Sequence, residues 1–66
     1  MMKFLIIGLG SMGKRRIRCL NVLNQKKIAG FDIRKDRRIE AKKIYKIQTY
    51  EKIDIALREF KPNAII

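Results

Sequence analysis

Histidine and tryptophan are absent from this chain, cysteine and proline occur once each, and only six of its 66 residues are acidic. With Cys19 as the single cysteine there is no intrachain disulfide and no cluster of metal ligands. Its place beside Leu20, in the middle of a predicted helix, makes it a small core residue by expectation. No long hydrophobic run is present. The apolar start, Phe4 to Ile7, is too short for a secretory core or a membrane span, and glycines interrupt it. A membrane partner is therefore excluded and the cytoplasm is the expected location. Scarce acids against 17 lysines and arginines leave a formal charge of +11, which invites a nucleic-acid reading. Against that reading, the charges are spread over nearly every predicted helix, aromatics are few, and no nucleic-acid motif is present. A solvated, lysine-rich surface that attracts an anionic cofactor or substrate fits better.

Glycine is also scarce, and three of the four glycines fall in one hexapeptide, Gly8-Leu9-Gly10-Ser11-Met12-Gly13. The hexapeptide follows an apolar run and opens a predicted helix, the context in which G-x-G-x-x-G binds a dinucleotide. Gly8 permits the tight turn, Gly10 lets the backbone approach a pyrophosphate, and Gly13 lets the helix pack closely on the strands. The helix then aims unsatisfied N–H groups at the phosphates. A second strand-like run, Lys27 to Phe31, ends at Asp32, close to the offset of about 20 residues expected for a ribose-binding carboxylate. Lys14, Arg15 and Arg16 sit near the positive end of the helix, where bound pyrophosphate would offset their repulsion; the alternative is that they are solvated surface charges.

The remaining pattern is β-α-β-α-β-α-β. Strand 1 is expected over Lys3 to Ile7, as a run buried on both faces of a parallel sheet. Helix 1 is expected over Lys14 to Leu23, with Ile17, Leu20 and Leu23 inward beside Cys19. Strand 2 covers Lys27 to Phe31, and Asp36 caps helix 2, where Ile39, Ala41 and Ile44 are the apolar positions. Strand 3 is placed near Lys46 to Thr49. Thr49 then caps helix 3, Tyr50 to Phe60, with Ile53, Ala56, Leu57 and Phe60 at helical spacing. Lys61-Pro62-Asn63 turns the chain into strand 4 at Ala64-Ile65-Ile66. These elements predict an α/β fold, the first half of a Rossmann-type doubly wound parallel sheet with strand order 3-2-1-4. Residues 1–66 are thus expected to form the N-terminal part of a dinucleotide-binding domain, with the rest of that domain and a substrate domain following. Half a fold of this length buries only about 60% of its unfolded surface, and its last strand is an apolar edge. Marginal stability and a tendency to associate are expected of it alone.

Ile7 to Arg18 resembles the opening of the Gfo/Idh/MocA oxidoreductases, the glucose–fructose oxidoreductase and inositol dehydrogenase group. Ala29-Gly30-Phe31-Asp32, Thr49-Tyr50-Glu51 and Lys61 to Ile66 resemble later pieces of the same region in order and spacing. The family often has histidine where Arg16 stands and asparagine where Cys19 stands. The resemblance implies an NAD(P)-dependent oxidoreductase acting on a sugar, nucleotide sugar or cyclitol-like substrate, homo-oligomeric when full length. It also implies that Gly8, Gly10, Ser11 and Met12 face the pyrophosphate, that Gly13 makes the helix packing contact, and that Asp32 takes the adenosine ribose hydroxyls. The family's catalytic lysine belongs after a fifth strand, so Lys61-Pro62 is not its counterpart. Binding chemistry is present in these residues, and proton-transfer chemistry is not.

Two signals bear on the cofactor, NAD or NADP. Asp32 favours NAD, because a carboxylate accepts from ribose hydroxyls and repels a 2′-phosphate. Arg34 is the candidate to bind that phosphate bidentately, while Arg37 and Arg38 are placed on the exposed face of helix 2. The strand fixes the carboxylate, so NAD is favoured. A non-catalytic dinucleotide-sensing module would use the same glycines and acid, and a small basic nucleic-acid-binding protein is the third reading.

Overall fold

A computed structural model describes residues 2–66. The elements are β1 (Phe4–Ile7), α1 (Ser11–Val22), β2 (Ile28–Phe31), α2 (Lys35–Tyr45), β3 (Gln48–Tyr50), α3 (Ile53–Phe60) and β4 (Ala64–Ile65). All strand pairs are parallel and the order is β3-β2-β1-β4. The fold is α/β, the first half of a Rossmann-type sheet, as the strand and helix pattern predicts. Leu5 pairs with Ala29 on one side and Ile65 on the other, so β1 is central. Ile66 extends the β4 ladder, accepting from the Ile7 N–H at 2.8 Å and donating to the Leu5 carbonyl at 2.9 Å.

Side chains alternate across the sheet and build a core on each face. Ile6, Leu9, Ile17, Leu20, Ile28, Ala41 and Ile47 pack under α1 and α2. Leu5, Ala29, Tyr50 and Ala56 pack under α3, joined by half-buried Phe31, Ile55 and Phe60. Alternation in β1 assigns Ile6 to the first core and Leu5 to the second, and both are fully buried.

Several boundaries and faces differ from expectation. The first helix begins three residues early, at Ser11, because Gly10 itself takes the extended cap conformation (φ −76°, ψ −161°). Its buried stripe is Gly13, Ile17 and Leu20. Cys19 lies two positions from Ile17, about 200° around the helix, and is exposed rather than core. Leu23 is exposed too, at the C-cap where the chain leaves the helix. The α2 cap is Arg34, and Asp36 falls inside the first turn. Ile39 and Ile44 face solvent, while Ala41 is buried. Tyr50 belongs to β3 and is buried, so Thr49 caps nothing and α3 starts at Ile53 after Lys52. On α3 only Ala56 is fully buried, and Ile53 and Leu57 are exposed.

Candidate functional site

The glycine turn lies at the carboxyl end of β1, where ligands of open α/β sheets bind. Gly8 has φ +89°, a left-handed conformation that a side chain would strain, and its N–H still completes the ladder to the Phe31 carbonyl at 2.8 Å. Gly13 supplies close packing. A Cβ there would stand 1.8 Å from the Gly8 carbonyl oxygen and 2.9 Å from its carbon, so α1 rests directly on the turn backbone. Gly10 is different, since the three atoms nearest an added Cβ all belong to the Arg37 guanidinium, the first at 3.2 Å. The space over Gly10 is bounded by a flexible cation and not by backbone.

No side chain caps α1, and its first turn holds no acid. Lys14 is the first helical residue to reach a backbone acceptor, the Gly10 carbonyl at 3.0 Å. The N–H groups of Ser11, Met12 and Gly13 precede it, as the orphan donors of a helix start. Ser11 and Met12 are exposed, leaving this end of the helix open to an anion. Lys14 pairs with Glu40 of α2, and Arg15 and Arg16 face solvent.

Asp32 is the one buried charged residue among the described residues, 5% exposed. One carboxylate oxygen accepts the Leu9 N–H at 2.8 Å and the other the Arg34 N–H at 2.9 Å. Burial alone would push the carboxyl upward, but these two N–H donors, with the Arg37 and Arg34 charges, hold it below its ordinary value. Asp32 thus clasps the glycine turn to the start of α2. A carboxylate has about four acceptor sites, two of which these N–H donors fill, on a residue that is 5% exposed with Arg37 beside Oδ2.

The arginines are arranged differently from expectation. Arg34 is exposed and engaged with Asp36, Nη2 to Oδ2 at 2.8 Å, which holds the Asp36 carboxyl below its ordinary value. Arg37 and Arg38 are not on the exposed face of the helix. Arg37 lies 3.8 Å from Asp32 Oδ2 as well as over Gly10. Arg38 donates to the Asp32 carbonyl at 2.8 Å and lies 3.5 Å from Glu51 Oε2, joining the ends of β2 and β3. Both were discoverable from Ala41, which they precede by one helical turn. Gly30 was missed as well. A Cβ there would stand 2.5 Å from Leu9 Cδ2, so the middle glycine of β2 makes room for the turn's buried leucine.

These residues gather Gly8, Gly10, Ser11, Met12, Gly13 and Asp32 at one place, and leave Arg34 at its margin. No protein-family model, curated protein or solved structure matches the chain. Among the described residues no helix is long and apolar enough to cross a membrane, and no group of acids and cysteine could hold a metal ion.

Proposed function

We propose that this chain is the cofactor-binding portion of an NAD(P)-dependent oxidoreductase, acting on a sugar, nucleotide sugar or cyclitol-like substrate. The observation that carries the reading is the clasp between Asp32 and the Leu9 N–H, which sets an acid beside an uncapped helix start. A pyrophosphate suits the orphan N–H groups of Ser11, Met12 and Gly13. An adenosine ribose suits the Asp32 carboxylate. The bound nicotinamide would supply hydride chemistry, and this chain's own residues would bind and orient the adenosine half. The oxidoreductase activity and the sugar-like substrate rest on the resemblance to the Gfo/Idh/MocA family, which places proton transfer on residues after a fifth strand.

NAD is the favoured cofactor. A 2′-phosphate would meet the Asp32 charge, and Arg34 would have to leave Asp36 to compensate for it. Calorimetric titration of the protein with NAD tests the assignment. Gly10→Val is expected to weaken binding sharply, because its side chain fills the approach to the helix start while displacing only the Arg37 tip. Unchanged affinity in Gly10→Val would remove the dinucleotide from the reading.

A further inference from the structure

Three arginines stand at the start of α2, and two of them are committed to acceptors of this chain. Arg34 holds the Asp36 carboxylate with Nε and Nη2, and Arg38 holds the Asp32 carbonyl with Nη1. Arg37 is different. Its ion-pair partner is Asp32, with Nη1 3.8 Å from Oδ2, a charge contact too long for a hydrogen bond. Among the described residues its guanidinium donates no hydrogen bond to an acceptor of the chain. A guanidinium carries five N–H donors, so a half-buried cation stands in the site with its hydrogen-bonding capacity unspent.

The same Nη1 atom stands 3.2 Å from the point where a Cβ on Gly10 would lie. One guanidinium therefore stands over both parts of the site, the approach across Gly10 to the start of α1 and the Oδ2 side of Asp32. A ligand whose ribose reaches Oδ2 past Gly10 has to move Arg37 aside. The Arg37 side chain is 42% exposed, which leaves it a path into solvent. Separating the two charges is unfavourable when the ligand gives the guanidinium nothing in return. A neutral nucleoside is such a ligand. A nucleoside diphosphate is not, because its phosphate oxygens accept two parallel N–H bonds from a guanidinium.

Resting on the dinucleotide reading above, we propose that Arg37 selects phosphate-bearing nucleotides over nucleosides: it shields Asp32 in the free protein and exchanges that carboxylate for the pyrophosphate of the ligand. Arg37 then acts with opposite sign on the two ligand classes. It opposes a nucleoside, which must separate the Asp32–Arg37 pair without compensation. It favours a nucleoside diphosphate, which takes up donors that the chain leaves unmatched. A counter-ion that served only to neutralise Asp32 would affect both classes alike. Arg34 is not equivalent, because both of its contacts to Asp36 would have to break first.

Amide NMR titrations of the protein with ADP-ribose and with adenosine test the proposal, read at Gly10, Ser11 and Arg34. ADP-ribose carries the pyrophosphate without a nicotinamide or a 2′-phosphate, so it isolates the contact in question. Arg37→Ala is expected to weaken ADP-ribose about tenfold or more, as the loss of hydrogen bonds to a charged group. The same variant is expected to strengthen adenosine about two- to fivefold, because a partly exposed ion pair no longer has to be separated. Arg37→Lys keeps the charge without the planar fork and should place both affinities between those of the parent and Arg37→Ala; it carries the test alone if alanine unfolds the chain. Lys35→Ala removes an equal charge from the same helical turn and should shift either ligand by less than about threefold at roughly 150 mM salt. Circular dichroism checks that each variant folds. Failure of both ADP-ribose and NAD to bind the parent protein would remove the dinucleotide reading and this inference with it. If ADP-ribose binds the parent, the role of Arg37 alone is overturned when its replacement moves both ligands in one direction, leaves either unmoved, or is matched by Lys35→Ala.

Discussion

Replacing Gly13 with alanine separates two roles that glycine plays in this turn. An added Cβ would stand 1.8 Å from the Gly8 carbonyl oxygen, where ordinary contact begins near 3.4 Å. Both obstructing Gly8 atoms are backbone, so no side chain can move aside, and α1 must retreat by about 1.6 Å. That retreat lifts Ile17 and Leu20 from the core they share with Ile6, and a gap of 0.5–1 Å already forfeits a quarter to a half of each contact. Helix propensity returns about 1 kcal/mol, whereas overpacking and lost contact cost about 3 kcal/mol or more. The net destabilisation is about 2 kcal/mol, which in a domain of this size lowers Tm by about 8–16 °C. Thermal unfolding followed by circular dichroism measures it, with Gly10→Ala as comparison. The atoms nearest that Cβ belong to the Arg37 guanidinium, so the loss should be confined to alanine's poorer N-cap preference, about 0.5–1 kcal/mol or roughly 2–8 °C. A Gly13→Ala protein that melts at or above the parent temperature would refute the close-approach argument.

Other outcomes follow from the same geometry. Lys61 ends α3 with φ 53°, so Lys61→Gly should raise stability by about 0.5–1 kcal/mol in urea titration and Lys61→Ala should not. The Asp32 carboxyl titrates below its unfolded value near 3.9; its contribution is complete above that pH and is lost as pH falls through the folded value. Asp32→Asn should therefore flatten the acid limb of stability against pH, and should cost about 1–3 kcal/mol at neutral pH because one of its two N–H donors loses an acceptor. On the proposed dinucleotide reading, calorimetric titration of the protein is expected to show tighter binding of NAD than of NADP, and Arg34→Ala should leave the NADP affinity nearly unchanged because Arg34 is engaged with Asp36. An NADP preference that collapses in Arg34→Ala would show that the guanidinium outranks the carboxylate.

The strand order was legible because it rests on chain-wide features, namely short apolar runs separated by helical stretches and the right-handed crossover rule. Helix starts were less legible, since Gly10 and Arg34 cap through backbone conformation with no side-chain hydrogen bond. Nothing in their residue types announces that. Adjacency to Leu20 suggests burial for Cys19, but angular position decides against it. On a helix, one residue's offset is about 100°, enough to carry a side chain from core to solvent.

The arginines of α2 show why a site is harder to read than the fold that presents it. Apolar residues at 39, 41 and 44 suggest an inward face, yet Ile39 is about 200° from Ala41 and cannot share its side. With Ala41 as the buried anchor, the positions one turn earlier are Arg37 and Arg38, and the one a turn later is half-buried Tyr45. Two cations occupy an inward stripe because their partners are there: the Asp32 carboxylate and carbonyl, and Glu51. Those partners come from the connections just after β2 and β3, so the pairing becomes visible only once the sheet order brings the strand ends together. Position along the helix then decides which guanidinium belongs to the site. Arg34, nearest to Asp32 in sequence, turns to Asp36, while Arg37 reaches both Asp32 and the space over Gly10. An anion arriving at the α1 start would therefore meet Arg37 first.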